Sequence, residues 1–395
     1  MKYILIISLI FIIVGLLLLI TDAFFLNDKE KKLKKRSYHN FCILIPARYE
    51  SKVINNIIDS IKKQSIKVDL SSVYVIVEDK SDPTINICKE NNINCFVREK
   101  LDLKSKGYAL MEVIEDLYKN NKHYDLYFIF DADNVLDSNY LSSMLEYYNM
   151  GYDVVTGYRK SSNINTNFVS SSSALTFSLI NDLLNQNKVA RNRSITISGT
   201  GYFISSEIID KFKSFPFHLM TEDYELSMYL AMNDYGTYYN REAIFYDEQP
   251  TSFTTSVKQR IRWCYGYLQV RRKYRKELKR NLKTKTAIGE YIGIKPYVSL
   301  LIGIFFFYIY LVTGLFIDFN RYIKVIIFTT LLIYTLLVIF TYFIILIDKD
   351  LGLNNKLKVK TLLYNPLYLF SYLYCMIRAM FGNISWERIE HTGIK

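Results

Sequence analysis

The sequence predicts an α/β domain, built around a mainly parallel sheet, that is attached to membrane helices. Within residues 41–257, short runs rich in β-branched residues alternate with runs of helical periodicity, which is the pattern of βα units. Outside this part, residues 3–20, 298–317 and 325–347 carry no charge, and each run is long enough to cross a bilayer as a helix. We therefore predict one N-terminal and two C-terminal transmembrane helices.

The composition argues for a large hydrophobic core and against disulfide bonds and zinc sites. Half of the 395 residues are hydrophobic, so the chain can bury a substantial core. Its four histidines are scattered, and its cysteines have neither paired nor zinc-ligand spacing, which is typical of a reducing compartment. The cysteines are Cys42, Cys88, Cys95, Cys264 and Cys375. A disulfide-stabilised scaffold and a zinc site are therefore not expected.

The first apolar run could be a signal peptide or a permanent anchor. Residues 21–23 loosely resemble a cleavage site, but the apolar run is long for a signal peptide. Residues 29–36 contain six cationic side chains, a density that favours retention on the cytoplasmic side. We predict a membrane anchor over residues 1–24 and a basic cytoplasmic linker over residues 25–40. The catalytic part would then be cytoplasmic, in an integral protein of the plasma membrane, and the Ile-, Asn- and Lys-rich composition suggests a bacterium.

Much of the net charge of +12 lies between Lys258 and Lys285. Basic residues with interleaved aromatic residues also occur in nucleic-acid-binding proteins. Here the cluster ends about a dozen residues before an apolar span, so attraction to anionic lipid headgroups is the simpler explanation. We predict basic interface helices over residues 258–297, membrane lipids as partners, and no nucleic acid.

The two C-terminal spans should form a transmembrane hairpin over residues 298–347, joined by residues 318–324. Residues 348–395 would supply a cytoplasmic loop, an interface helix and a tail. The interface helix is expected over residues 361–380, because this apolar run contains Asn365, Pro366, Arg378 and many tyrosines. If it were instead a third span, the tail would lie outside the cell.

The central domain has a recognisable order of elements. Strands are predicted at residues 41–45, 73–77, 95–97, 126–130, 153–158 and 237–246, and the first is expected to stop at Pro46. Helices are predicted at residues 53–61, 107–118, 168–184, 222–232 and 257–279.

The most informative motif is Asp131-Ala132-Asp133-Asn134, which directly follows a buried strand. Open α/β sheets bind their ligands at the carboxyl ends of the strands. Two carboxylates at this position suit Mg²⁺ or Mn²⁺ bridging a diphosphate, because these cations prefer oxygen ligands. The alternative for Asp131 is a helix N-cap.

Further polar motifs follow the other elements in a fixed order. They are Pro46-Ala47-Arg48-Tyr49-Glu50, Glu78-Asp79, Lys106-Gly107, Ser198-Gly199-Thr200-Gly201, Thr221-Glu222-Asp223 and Gln259-Arg260-Ile261-Arg262-Trp263. In the last motif, Gln259, Arg262 and Trp263 have i, i+3, i+4 spacing and share one helical face.

This order and spacing resemble the membrane-bound family-2 glycosyltransferases, the group that contains the cellulose, chitin and hyaluronan synthases. The resemblance covers about residues 41–270, with a weaker match at residues 386–391. One departure is Tyr49, where such proteins commonly carry asparagine. The resemblance implies a GT-A nucleotide-sugar domain over residues 41–257, a UDP-sugar donor, a divalent cation and an inverting transfer.

The resemblance also implies a role for each motif. It makes Asp133 and Asp131 the metal ligands and Asp223 the catalytic base that takes the acceptor's proton. Donor contacts would come from Pro46, Arg48, Glu50, Asp79, Lys106, Asp131 and Arg262. Acceptor contacts would come from Gly199, Thr200, Gly201, Glu222, Gln259 and Trp263.

Each role has a structural alternative. Asp79 could be a turn residue, Lys106 a helix-capping residue, and Asp223 an acidic residue that stabilises a helix N-terminus. Trp263 could be a membrane anchor, and the two glycines could serve a bend alone.

The expected activity is transfer of a sugar from a UDP-sugar, with GlcNAc or glucose as the sugar, to a glycan or lipid-linked acceptor in polysaccharide synthesis. One alternative is a non-catalytic GT-A-fold scaffold or subunit, and another is a nucleotidyltransferase. Two C-terminal spans and one N-terminal anchor are few helices for a single chain to enclose a polysaccharide channel. Extension would therefore require a homo-oligomer or a second membrane subunit, unless only one sugar is added.

Overall fold

The computed structural model describes residues 1–233, 235–382 and 384. The weak tail match at residues 386–391 therefore lies outside the described residues. Within them, eight strands form one sheet in the order β3-β2-β1-β4-β7-β6-β8-β5. The strands are β1 Phe41–Ala47, β2 Val73–Val77, β3 Asn94–Val97, β4 Leu126–Ile129, β5 Val135–Leu136, β6 Val154–Ser161, β7 Tyr202–Ser205 and β8 Thr237–Asp247.

The sheet is mixed, with parallel pairing in the majority. Strands β1, β2, β3 and β4 run parallel, as do β6 and β8. Strand β7 lies antiparallel between β4 and β6, and β5 pairs antiparallel with β8. The predicted α/β class is confirmed, and the carboxyl ends of β1, β2 and β4 meet at one edge of the sheet, where ligands are expected.

The predicted end of the first strand was wrong. Strand β1 continues through Pro46, which pairs in register with Ile76 of β2. The pairing with β4 ends earlier, at Leu44 and Ile129, so the missing N–H of Pro46 removes no hydrogen bond from that side.

Helices cover both faces of the sheet. The α-helices of the described residues are α1 Lys2–Ile20, α2 Ile54–Lys62, α3 Thr84–Glu90, α4 Lys106–Lys119, α5 Tyr140–Met150, α6 Phe168–Ser178, α7 Gln186–Ala190, α8 Ser206–Phe212, α9 Glu222–Met232, α10 Phe253–Arg280, α11 Lys285–Ile292, α12 Lys295–Leu315, α13 Phe319–Ile347 and α14 Asn355–Phe381. One core packs the sheet against α2 and α5. The other packs it against α4, α8 and α9.

Two helix predictions need correction. The helix predicted over residues 168–184 changes into a π-helical segment at Leu179–Asn185, and only then continues as α7. The loop predicted at residues 318–324 is shorter, because α13 already begins at Phe319. Asp318 caps that helix by accepting a hydrogen bond of 3.0 Å from the N–H of Arg321. The charges of Arg321 and Lys324 had suggested a loop, but they lie in the first turns of the helix.

Three helical segments of the described residues are long and apolar enough to cross a membrane, as predicted: Lys2–Phe25, Lys285–Leu315 and Phe319–Ile347. The first packs closely on α12 through small residues. The Ser8 hydroxyl donates to the carbonyl oxygen of Gly303 at 2.8 Å, and the Ser299 hydroxyl donates to that of Phe11 at 2.7 Å. Small residues allow two helices to approach this closely within a bilayer.

Helix α14 spans the region predicted to be an interface helix and is not among the three candidate spans. It packs against α6, α10 and α13. It thereby brings the C-terminal part of the chain back to the edge of the sheet.

Candidate functional site

A cleft of about 720 Å³ opens at the carboxyl ends of the parallel strands. Helices α4, α6, α9, α10 and α14 contribute to its walls. Twelve of the predicted site residues line it: Pro46, Arg48, Glu50, Lys106, Asp131, Asp133, Gly199, Glu222, Asp223, Gln259, Arg262 and Trp263. The sequence motifs, although far apart in the chain, therefore share one site.

The loop after β4 fixes the two carboxylates of the first motif. The backbone N–H of Asp131 donates to Thr200 Oγ1 at 2.8 Å and to Asn134 Oδ1 at 3.1 Å. Oδ2 of Asp133 accepts a hydrogen bond of 3.3 Å from the N–H of Glu248. Asp131 is not a helix N-cap, because the next helix begins at Tyr140.

This pair fits a hard divalent cation, since both carboxylates line the cleft and supply only oxygen. Among the described residues no group of three or more His, Cys, Asp or Glu side chains could hold a metal ion. Oxygen atoms of a bound diphosphate and of water would have to complete the coordination shell, as is usual for Mg²⁺.

Lys106 connects the Asp131 motif with the glycine motif. It begins α4, and the hydroxyl of Ser105 caps this helix by accepting the N–H of Tyr108. Its ammonium group donates to Asp131 Oδ1 and, at 2.8 Å, to the carbonyl oxygen of Gly199. Burial opposes the charge, but the nearby carboxylates, Asp131 first among them, outweigh burial and raise the pKa of Lys106. The lysine therefore stays cationic beside the place where a diphosphate would bind.

Asp223 lies in the first turn of α9, next to Glu222. Burial raises the pKa of both carboxyl groups, and for Glu222 the charge of Asp223 raises it further. Because two neighbouring buried carboxylates repel each other, this pair holds a proton more readily than two exposed acids would. A buried, ionised carboxylate with a raised pKa is a suitable general base.

The glycine motif divides into a part in the cleft and a part behind it. Gly199 has φ +88°, and a Cβ atom there would lie 3.4 Å from Oδ2 of Asp223. Thr200 is fully buried and its hydroxyl donates to Asn134. Gly201 has φ +63°, and a Cβ atom there would lie 2.1 Å from the ring of Phe245.

The acceptor contacts predicted for Thr200 and Gly201 do not fit these positions. Neither residue lines the cleft. Thr200 supports the loop that carries Asp131, because its Oγ1 accepts the N–H of Asp131. A Gly-x-Gly bend forms equally well against a ligand or against a packed ring, and here Gly201 packs against Phe245.

Asp79 also lies outside the cleft lining, at the end of β2. Its carboxylate accepts a hydrogen bond of 2.6 Å from the hydroxyl of Tyr49, the residue that departs from the family pattern. It also accepts the N–H of Ser81 at 2.7 Å. Hydrogen bonds, with those of Ser81 the strongest, lower the pKa of Asp79.

Helix α10 presents Gln259, Arg262 and Trp263 to the cleft on one face, as the spacing predicted. Oε1 of Gln259 is buried and has no hydrogen-bond partner among the described residues. Such a group usually finds its partner in a ligand or in water. Trp263 packs edge-on against Phe177, with the ring centroids 5.7 Å apart.

A sequence comparison decides the family. The profile described as "Glycosyltransferase like family 2" matches residues 39–266, which is more than half of the chain. The chain belongs to glycosyltransferase family 2. It therefore acts on nucleotide-sugar donors as a glycosyltransferase. No curated protein matches the chain significantly.

One solved structure confirms the GT-A fold of this family-2 glycosyltransferase. A mannosyltransferase from Pyrobaculum calidifontis in complex with GDP-Man and Mn²⁺ superposes with a TM-score of 0.62. It is 12% identical, and the match covers 96% of this chain and 99% of that one. A fragment of S. aureus TarS in complex with UDP-GlcNAc gives a TM-score of 0.41 at 16% identity, covering 58% of this chain and 67% of that one.

The glycosyltransferase cleft also contains polar residues that were not predicted, among them Arg159, Asp247 and Glu248. Arg159 pairs with Asp247 and donates to the carbonyl oxygen of Ser198 at 2.7 Å. Asp247 and Glu248 follow a predicted strand, just as Asp131 follows β4. Acidic residues at a strand end were therefore the signal that could have identified them.

The other unpredicted wall comes from α14. Leu369, Tyr372 and Met376 also line the cleft. The buried guanidinium of Arg260 holds this helix against α10, because it lies 4.0 Å from the ring centroid of Tyr368 and donates to Ser371 Oγ at 2.6 Å. Arg260 thus has a structural role, while its neighbour Arg262 lines the cleft.

Proposed function

We propose that this protein is an inverting, metal-dependent glycosyltransferase that uses a UDP-sugar and works at the cytoplasmic face of the plasma membrane. GlcNAc and glucose are the proposed sugars. The acceptor is a glycan or a lipid-linked molecule, and the process is polysaccharide synthesis.

One observation carries the proposal: Asp131 and Asp223 are joined through a single lysine and a single glycine. Lys106 contacts both Asp131 and the carbonyl oxygen of Gly199, and Gly199 lies next to the carboxylate of Asp223. A single displacement requires a candidate metal ligand and a candidate base in one site, and these contacts hold the two carboxylates in the same cleft.

The leaving group needs positive charge as the anomeric bond breaks. Asp133 and Asp131 would hold Mg²⁺ or Mn²⁺, which supplies that charge to the diphosphate when it is bound. Lys106 and Arg262 would bind the diphosphate directly. Asp79, in contact with Tyr49, would bind the uracil ring, and Pro46, Arg48 and Glu50 would complete the donor side.

In the same cleft, Asp223 would accept the proton of the acceptor hydroxyl as the oxygen attacks the anomeric carbon. Attack from the face opposite the diphosphate inverts the configuration. Trp263 would stack on a sugar ring of the acceptor, and Gln259 would accept a hydroxyl hydrogen bond through its unpartnered Oε1. Gly199 would leave room for the acceptor, and the protonated Glu222 would donate to it.

A donor screen tests the proposal. The full chain is incubated with UDP-GlcNAc, UDP-glucose, other UDP-sugars and GDP-mannose, with Mg²⁺ or Mn²⁺, and released nucleoside diphosphate is measured. GDP-mannose is included because the mannosyltransferase with the same fold holds GDP-Man. We expect release of UDP from one UDP-sugar only with the cation present. Release of pyrophosphate, or no release from any donor, would contradict the proposal.

Product length separates extension from single transfer. With radiolabelled UDP-GlcNAc and membranes, a polymer would support a synthase that works as a homo-oligomer or with a second membrane subunit. A product only one sugar longer than its acceptor would refute the polymerase version.

A further inference from the structure

One apolar part of the cleft wall lies where α6, α10 and α14 meet. Phe177, Leu179 and Ile180 come from α6 and the π-helical segment after it. Leu369 and Met376 face the same space from α14. Their side chains offer a glycan no strong hydrogen bonds, so a sugar there would lose water without replacement.

The residues of α14 are divided among three directions. Tyr368, Cys375 and Ala379 are buried, which is consistent with their packing against α10. Leu369, Tyr372 and Met376 line the cleft. A third set repeats every three or four residues and stays exposed: Leu363, Leu367, Phe370, Tyr374 and Ile377, with Phe370 the most exposed of them at 65%.

The exposed stripe of α14 is continuous with a candidate membrane span. The hydroxyl of Tyr334 in α13 donates to the carbonyl oxygen of Leu363 at 2.6 Å. The Asn365 amide donates to Thr341 of α13 at 2.9 Å. A helix with an apolar stripe that is fixed to a span is typical of the bilayer surface. Helix α14 would therefore lie between the lipid and the cleft, with apolar residues on both sides.

We infer that the acceptor is a membrane lipid whose hydroxyl-bearing headgroup reaches Asp223 while its apolar chain lies along Leu179, Leu369 and Met376. This inference rests on the proposed function and narrows its acceptor class. Trp263 belongs to this apolar side, since it packs against Phe177, and it lines the same cleft as the carboxylates.

The reaction balances without any further reagent. The oxygen of the lipid hydroxyl forms a bond to the anomeric carbon, and the bond from that carbon to the diphosphate oxygen breaks. The electron pair leaves with the nucleoside diphosphate, and the hydroxyl proton passes to the carboxylate of Asp223. The product is a glycolipid, so a later reaction that uses it must act at the membrane.

A binding experiment tests the inference directly. The chain contains two tryptophans, so a Trp386→Phe background leaves Trp263 as the only indole. Its fluorescence is titrated with methyl, hexyl and octyl β-glucoside, below their micelle concentrations, with the full chain in amphipol. We expect octyl β-glucoside to bind at least about tenfold more tightly than methyl β-glucoside, because buried methylene groups add affinity. Equal affinity for all three glucosides would overturn the inference.

Variants of α14 locate the effect. Met376→Gln should remove most of the dependence on chain length, and Met376→Leu should retain it. Phe370→Gln is the matched control, since Phe370 lies on the exposed side of the same helix, and it should keep the dependence. A thermal melt of each variant verifies folding. Unchanged dependence in Met376→Gln would also overturn the inference.

The reaction product gives an independent result. After turnover with labelled donor and membranes, label that partitions into butanol supports a lipid acceptor, whereas label found only in water contradicts it. The proposed function fails in a different way, namely through absence of nucleoside diphosphate release in the donor screen. Release accompanied by water-soluble product alone would leave the glycosyltransferase proposal intact and overturn only the lipid acceptor.

Discussion

The ammonium group of Lys106 donates a hydrogen bond of 2.8 Å to the carbonyl oxygen of Gly199. Because the same group also binds Asp131, it ties the end of β4 to the glycine beside Asp223. The loop of Asp131 and the bend at Gly199 are therefore held in one arrangement before any substrate binds. Such preorganisation lowers the cost of aligning donor and acceptor.

Asp133→Asn should weaken the response to divalent cations. An amide oxygen is a poorer ligand than a carboxylate, so we expect the Mn²⁺ concentration for half-maximal activity to rise by roughly 10- to 100-fold. The measurement is transferase rate against Mn²⁺ concentration after treatment with a chelator. Asp137→Asn, in the same loop region but outside the cleft lining, is the control. An unchanged Mn²⁺ response in Asp133→Asn would exclude this residue as a ligand.

The transferase activity should fall as the pH is lowered below about 6. Burial raises the pKa of Asp223 to about 6, so below that pH the carboxyl group is protonated and cannot take the acceptor's proton. We expect kcat/KM to drop about tenfold per pH unit below about pH 6, to level off above it, and to fall again above about pH 8, where burial and the charge of Asp223 no longer keep the Glu222 carboxyl group, with its pKa of about 8, protonated. The donor dissociation constant, measured over the same range, separates this effect from weaker donor binding. A flat profile would argue against Asp223 as the base.

Tyr49→Phe should weaken donor binding and leave the rate of the chemical step unchanged. The substitution removes the hydroxyl that donates to Asp79 at 2.6 Å and leaves the ring in place. Loss of one hydrogen bond to a charged group corresponds to about a tenfold rise in the donor KM, with kcat little changed. Steady-state kinetics with varied donor provide the measurement. If kcat falls and KM does not, the Tyr49–Asp79 contact serves another purpose.

Gly201→Ala should destabilise the fold. A Cβ atom would overlap the Phe245 ring, and φ is +63°, so we expect the free energy of unfolding to fall by about 3 kcal/mol or more. Gly352→Ala is a matched control, because φ is +73° there but the nearest atoms are 3.9 Å away. Strain alone should cost it about 1 kcal/mol. Chemical denaturation gives both values, and equal losses would mean that Phe245 moves away easily.

Much of the fold could be predicted because its signals are local. The uncharged runs in α1, α12 and α13, and the buried strand before Asp131, are explicit in the sequence. Helix α9 begins and ends where the acidic first turn and the apolar spacing predicted. The antiparallel placement of β7 between β4 and β6 was not predictable in the same way, since strand order depends on contacts between distant segments.

The site residues were predictable where a motif faces the cleft. They were not predictable where packing against distant side chains determines whether a residue reaches the cleft. The motifs of Asp133, Asp223 and Trp263 occur in one order, and together they indicate a glycosyltransferase site. Thr200 and Gly201 belong to an equally clear motif, yet they pack behind the cleft because Phe245 occupies the space next to the glycine. Met376 had no local signal, because its position depends on how α14 folds back onto α10.

We propose that Asp223 takes the acceptor's proton, whereas other residues of the same cleft bind the donor. The most direct measurement compares Asp223→Asn with wild type in both transferase rate and UDP affinity, with Glu146→Gln on the surface of α5 as control. We expect at least a hundredfold loss of rate in Asp223→Asn, roughly the contribution of a general base, with UDP affinity unchanged. A rate within about tenfold of wild type, or a parallel loss of UDP affinity, would contradict it.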